Sequence, residues 1–498
     1  NTAIGYNAML ANQTGEGNTA VGEGALDANN PGDNNVAVGK LSLSSNTTAD
    51  NNTAVGTCAL KTNTTGTDNT AVGADALLNN TTGFNNSALG RCASLSNTEG
   101  DKNIAIGMST LRCNLTGCHN TAVGYTALLK NTASDNTAVG CGALICNTTG
   151  SDNVGIGRRA LDANISGVAN VAIGSSALTE NTTAHSNVAV GTCALFGNTT
   201  GACNHGLGTF SLLANTEGHS NVAVGYQAIK TNTTGDQNVG VGHQVLCKST
   251  TASKNTAVGA FGLFANTTGI RNTAIGMSSL EANTTADNNT AVGFEALKVN
   301  TTGTNNVAVG KNSLTANTTA SNNIAIGLDS MCVNQTGTKN VAMGTDTLRN
   351  STGDCNSALG YLALQTNSSG SNNTAFGASS LLSNTTGASN TAVGSCSLYS
   401  NTTASSNTAV GFCSLLTNTT GYLNTAIGHS SLKLNTTGAT NVASGYQALG
   451  ANTTGSSSVA MGYQALNANT TGPDNVAVGR EAMLTNTTGC RNVAVGKR

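Results

Sequence analysis

The feature that governs every other property of this chain is a period of 17 residues. Units begin at Asn1, Asn18, Asn35 and Asn52 and continue to Asn492, giving 29 complete units and a partial one ending at Arg498. The units opening at Asn120 and Asn340 are each one residue short in their second half, and the phase resumes at once. A short fixed period overrides the usual arithmetic of length and domain count. Each unit is one supersecondary element that cannot bury its apolar face alone and must stack on its neighbours. One continuous array over residues 1–498, without separate domains, is therefore expected.

A unit reads Asn, Thr/Val, Ala, Val/Ile, Gly, two variable residues, Ala/Ser, Leu, two variable residues, Asn, Thr, Thr, Gly/Ala and two variable residues. Glycine fills position 5 in all 30 occurrences, beginning with Gly5, Gly22, Gly39, Gly56 and Gly73, which marks a backbone site intolerant of a Cβ. Position 12 is asparagine at Asn12, Asn29, Asn46, Asn63, Asn80 and onward, except at Ser249, with Asn350 taking the place in one short unit. Charged residues other than Glu99 and Glu217 keep to positions 6, 7, 10, 11, 16 and 17, the corners that face water.

Positions 1 to 5 alternate two side-chain sets as a strand does, and a second short strand is expected over about positions 8 to 11. Two strands and two turns per unit describe one coil of a parallel β-solenoid, an all-β fold. Helical repeats need roughly 30 residues or more and would not place Asn-Thr-Thr-Gly after every fifth-place glycine. At the ~4.8 Å strand spacing, 29 coils would form a rod of about 140 Å. The asparagines of position 12 then lie above one another and can bond amide to amide along the column, and those of position 1 can do the same.

The Val or Ile of position 4 and the Leu of position 9 form the aliphatic pair expected inside each coil, contributing about 3 to 6 kcal/mol of burial. That is thin against ~1 to 2 kcal/mol of backbone entropy per residue. Neither face of the first strand looks wet, and a strand dry on both faces sits between two packed layers. A neighbouring chain is the expected second layer, the small Ala and Gly of positions 3 and 5 permitting close approach. Self-association into a homo-oligomer follows as an expectation.

Three segments carry a resemblance: Gly225-Tyr226-Gln227-Ala228-Ile229, Gly445-Tyr446-Gln447-Ala448-Leu449 and Gly462-Tyr463-Gln464-Ala465-Leu466, each followed within the repeat by Asn-Thr-Thr-Gly. They resemble the head repeats of trimeric autotransporter adhesins of the YadA type, and still more the repeats of phage and giant-virus tail-fibre proteins. The resemblance implies a left-handed β-roll, three chains side by side, and display outside the cell on a virion or cell surface. No heptad stalk, anchor barrel or self-cleaving chaperone segment accompanies the repeats. The first and last units both follow the template, so the array is expected to continue in a parent chain or to join another along its axis.

Catalysis finds no candidate. Gly155-Ile156-Gly157-Arg158-Arg159-Ala160 matches a dinucleotide fingerprint, but Gly155 stands where other units have Ala, Gly157 is the repeat's own glycine, and no helix is expected to follow. His119, His185, His205, His219, His243 and His429 scatter over positions 2, 6, 16 and 17, and no zinc spacing occurs. No metal and no cofactor are expected. With 21 basic against 23 acidic residues the chain has no electrostatic footprint for nucleic acid. No apolar run approaches the ~18 residues of a membrane span, so a soluble segment without membrane insertion is expected.

Fourteen cysteines occupy variable places expected to be exposed. Cys396 and Cys413, at position 7 of adjacent coils, are the one pair spaced for a disulfide, with unselected surface thiols the simpler explanation. Asn-x-Ser/Thr sequons recur at position 12, for instance at Asn46, Asn63, Asn266 and Asn486, but a column ~4.8 Å apart favours a structural role over sugar attachment. Paired Thr at positions 13 and 14 point oppositely and make no flat double rank for ice. Tyr6, Tyr125, Tyr226, Tyr361, Tyr446 and Tyr463 share exposed position 6 and could stack on sugars, yet are sparse. The expected function is a structural fibre or spike shaft of a virion or cell surface. The alternative is an adhesin head that grips a host glycan or protein with its corners.

Overall fold

Every coil contributes one three-residue strand at positions 2 to 4, from β1 (Thr2–Ile4) to β30 (Val493–Val495), in a computed structural model that describes residues 1–498 and contains no helix. The fold is a parallel β-solenoid. The chain divides into two compact units, Asn1–Ser253 and Lys254–Arg498. The first holds β1 to β15 (Val239–Val241) and the second β16 (Thr256–Val258) to β30. Within each unit consecutive strands pair in parallel with like positions aligned, as in Thr19↔Val36 and Ala274↔Ala291. Fifteen strands at the usual spacing make each sheet about 70 Å long.

The second strand expected over positions 8 to 11 does not form; those residues are turns. The cause is backbone handedness. Positions 7 and 9 carry positive φ, for example 57° at Ser278 and 49° at Leu280, whereas an extended strand needs negative φ throughout. Two tight turns result, closed by Ser279 N–H to the Gly276 carbonyl (3.4 Å) and Asn283 N–H to the Leu280 carbonyl (3.1 Å). The turns also bond from coil to coil, Leu280 N–H donating to the Ala296 carbonyl at 3.0 Å and Ala282 N–H to that of Lys298 at 2.9 Å. This satisfies backbone groups that a strand would otherwise have paired. Leucine suits position 9 because branching at Cβ is disfavoured at positive φ, and only Ile229 breaks that preference.

Position 5 is fixed by two constraints at once. Gly22 has φ +138°, and a Cβ there would lie 2.5 Å from the carbonyl oxygen of Gly39 in the next coil. Gly5, Gly39, Gly56 and Gly73 have the same geometry, so the glycine column is a turn that no other residue fits.

The interior overturns one expectation. Ala at position 3 points inward, fully buried at Ala20, Ala54, Ala274 and Ala291, while positions 2 and 4 point outward. The aliphatic pair is therefore not hidden together: Leu at position 9 lies inside, and Val or Ile at position 4 lies outside. Volume explains the choice. Each coil's core already contains the asparagines of positions 1 and 12, residue 15, the small residue of position 8 and Leu, leaving room for one methyl. Where position 8 enlarges to Val245 beside Ile229, even that methyl is absent: a Cβ on Gly240 would meet Ile229 Cγ1 at 2.8 Å and Val245 Cγ1 at 3.0 Å.

Two buried asparagine columns close the coil. At position 12 each amide NH₂ donates twice, to the residue-15 carbonyl of its own coil and to the amide oxygen of the preceding coil; Asn46 reaches Ala49 O at 2.9 Å and Asn29 Oδ1 at 2.7 Å. The column runs through Asn12, Asn29, Asn46, Asn63 and Asn80. At position 1 the amide oxygen accepts the next coil's backbone N–H, Asn18 N to Asn1 Oδ1 at 2.8 Å, and the NH₂ again goes to residue 15. Both columns thus converge on one carbonyl per coil, and buried amides of this kind are affordable only when fully bonded.

Irregular coils show what the ladder requires. In the short coil at 340 the buried rung is Ser351, not Asn350, which is exposed; Asn367 Nδ2 donates to Ser351 Oγ at 3.0 Å. The missing residue falls in the Thr-Thr segment, so strand register is kept, Val341↔Ser357. Asn114 Oδ1 and Asn232 Oδ1 find no donor, the first facing the short coil at 120 and the second facing Ser249.

Candidate functional site

With the interior given over to packing, chemistry can reside only on the outer strand face and the corners. The outer face has two ranks per sheet. Position 4 is apolar in 29 of 30 occurrences, Ser444 being the exception, and position 2 carries Thr, Ser, Val, Ile or His205 but no Asp, Glu, Lys or Arg. These side chains stand in water: Leu89 is 50% exposed, Ile275 42%, Phe376 42% and Met461 44%. Of the two strand faces expected to be dry, this Thr/Val/Ile face meets solvent in the single chain, and the Ala of position 3, expected to permit close approach between chains, lines the coil's own core.

The corners carry the charges, a minority of them in short-range pairs such as Lys40–Glu23 (3.0 Å) and Lys298–Glu295 (2.7 Å). Such solvated pairs are worth little. No three His, Cys, Asp or Glu side chains come together as a metal-binding group. The histidines are engaged singly: His219 Nδ1 accepts the Ala202 N–H at 3.0 Å, His119 lies 3.7 Å from Asp135, and His243 stacks on Tyr226. Gly155 and Gly157 belong to a strand and its turn, with no helix N-terminus to hold a phosphate.

All fourteen cysteines are free, Cys396 and Cys413 included. The expectation of general exposure fails at Cys247, which is buried, and eight others are half-buried. Burial pushes the thiols of Cys247, Cys332 and Cys413 above the usual range, reinforced at Cys413 by the neighbouring Cys396. Asn46, Asn63 and Asn266 are fully buried, each donating its amide NH₂ to the residue-15 carbonyl of its coil, which leaves no room for a sugar on those sequons. Position 13 threonines are likewise occupied, Thr64 Oγ1 donating to the Thr81 carbonyl at 3.0 Å.

The position 6 tyrosines, expected to share an exposed column, read as sparse along the chain. The structure brings four rings into one column on coils 25 to 28, Phe412, His429, Tyr446 and Tyr463, with centroids 5.2, 5.3 and 5.3 Å apart. The signal was available, since these rings fall at one repeat position in consecutive units. No helix is long and apolar enough to cross a membrane. No protein-family model matches the chain, and neither does any curated protein.

Proposed function

We propose that the chain is a non-enzymatic structural fibre or spike shaft of a virion or cell surface, assembled from copies of itself packed side by side through the outer strand face. One observation carries this. Position 4 points to solvent in the single chain, yet it is apolar in 29 of 30 occurrences, whereas the corner positions exchange charged, polar and apolar residues freely. Solvation alone gives no reason for that difference. A stripe three residues wide and about 70 Å long presents roughly 700 Å² per sheet. Its position 4 rank is apolar and its position 2 rank mixes Thr and Ser with Val and Ile, and the whole is close to one partner's share, ~800 Å², of a standard interface.

The resemblance to trimeric adhesin and tail-fibre repeats favours three copies and an extracellular place. Stacked coils joined by hydrogen bonds throughout suit a part whose task is reach and stiffness. Deleting ten coils, residues 18–186, in the parent assembly should shorten the appendage by about 48 Å while attachment persists. Attachment lost with assembly intact would instead favour the second reading, an adhesin head binding a host glycan or protein through its corners.

A further inference from the structure

Between Asp354 and Asp474 the chain carries a single charged residue, Lys433. At the overall share of 9% a stretch of that length would hold about ten. The same stretch contains seven of the sixteen Phe and Tyr residues. Charge has been removed and aromatic surface gathered in one part of the second unit.

Within it lies a notch. Position 10 is Lys433, Gly450 and Asn467 in three successive coils, which border a cavity of about 230 Å³; Asn467 leans back over Gly450, its Nδ2 2.8 Å from where a Cβ would stand. Lys433, Ser430, Gln447 and Asn467 give the cavity's lining ammonium, hydroxyl and amide groups, and Leu434, Gly450 and Ala451 give apolar ones. Gln447 is held in place, its side-chain oxygen accepting from Gln464 Nε2 at 2.8 Å and its carbonyl from Asn467 Nδ2 at 2.9 Å. Position 6 of the same coils carries the ring column, whose last member Tyr463 is covered by Arg480 at 5.5 Å. Lys433 makes no ion pair, and no other charge within the stretch competes with its field.

We infer that this notch binds one carboxylated sugar residue, of the sialic or uronic acid class. A lining that combines amide and hydroxyl groups with apolar ones matches a sugar ring, which presents hydroxyls along its edge and C–H groups on its face. The single ammonium of Lys433 balances the one negative charge of a carboxylate, and no arginine lines the notch to add the forked contacts that favour a phosphate or sulfate. The volume is below the ~300–1,000 Å³ of drug-sized sites, which limits the occupant to about one ring. This goes beyond the shaft reading, which depends on the strand face and would stand whatever the notch binds.

The test uses the full chain with 3′-sialyllactose, a hyaluronan tetrasaccharide and uncharged lactose, followed by saturation-transfer NMR and calorimetry. At least one acidic saccharide should bind, about tenfold or more tighter than lactose. Lys433→Gln and Gly450→Leu should each weaken that binding about fivefold or more, while Lys230→Gln, at position 10 in the first unit, leaves it unchanged. Unaltered circular dichroism checks that both variants fold, and Lys433→Gln leaves the backbone untouched if Gly450→Leu does not. No binding of either acid, equal binding of lactose, or wild-type affinity in both variants would overturn the assignment.

Discussion

The two faces of one strand obey different rules. Inside, position 3 is Ala, with Gly at Gly155, Gly206 and Gly240, and no larger residue occurs in 30 occurrences. Outside, position 4 ranges from Val through Ile, Leu and Met to Phe376 but is polar only at Ser444. The inner site restricts volume and the outer one restricts polarity. A close-packed interior rejects an added methylene, which explains the first rule. The second is the rule expected of a surface that the proposed side-by-side packing would cover with a partner tolerant of differences of shape.

Paired substitutions in one coil sharpen the contrast. Ala274→Leu, aimed into the core, should cost about 3 kcal/mol or more through overpacking, read as a lower denaturation midpoint. Asn283→Ala comes next, at about 2 to 3 kcal/mol. It strips the amide donor from Asn266 Oδ1 (2.9 Å) and from the Ala286 carbonyl (3.1 Å), and the acceptor from Asn300. Ile275→Lys, one residue along the same strand and 42% exposed, should leave the folded signal of the single chain within about 0.5 kcal/mol. It should nevertheless weaken self-association about tenfold or more, since a lysine there would be buried unpaired. Equal losses of stability from Ala274→Leu and Ile275→Lys would erase the distinction between the faces.

Repair gives a smaller effect of opposite sign. Ser249→Asn restores a donor for the lone Asn232 Oδ1 and should raise stability by about 1 kcal/mol in equilibrium unfolding. The smallest difference lies among the thiols. Alkylation followed by mass spectrometry should modify Cys141 and Cys203 first and Cys247 last, with Cys332 and Cys413 lagging as pH rises. Because those three thiols hold their protons to higher pH when folded, the unfolded chain binds fewer protons above the ordinary thiol range. Their contribution to stability is thus present below that range and declines as pH rises through it.

Much of this was legible in the residues. A glycine at the fifth place of every unit and an asparagine at the twelfth place of nearly every unit are demands of geometry, and the structure gives each a reason, the Gly39 carbonyl standing where a Cβ on Gly22 would need to be and the amide chain from Asn12 to Asn80. Which strand face turned inward was not legible, because Ala3 and Ile4 are both apolar and a period of two labels faces without ranking them. Volume decided it, and volume emerges only once Leu and two asparagines share one cross-section. The absent second strand was hidden for another reason: Ser278 and Leu280 sit at positive φ without being glycine, so nothing in their identity announces the turn. At the short coil a one-residue gap admitted two alignments, and hydrogen bonding chose Ser351 over Asn350.

The most direct test of a covered outer face is sedimentation equilibrium on the folded chain at micromolar concentration, with β-structure checked by circular dichroism on the same sample. Side-by-side copies require a mass that is a multiple of 49.4 kDa, about threefold if the resemblance to trimeric fibres holds, and one that falls toward a single chain in Ile275→Lys. A stable, fully folded 49.4 kDa monomer with that face still in water would contradict it.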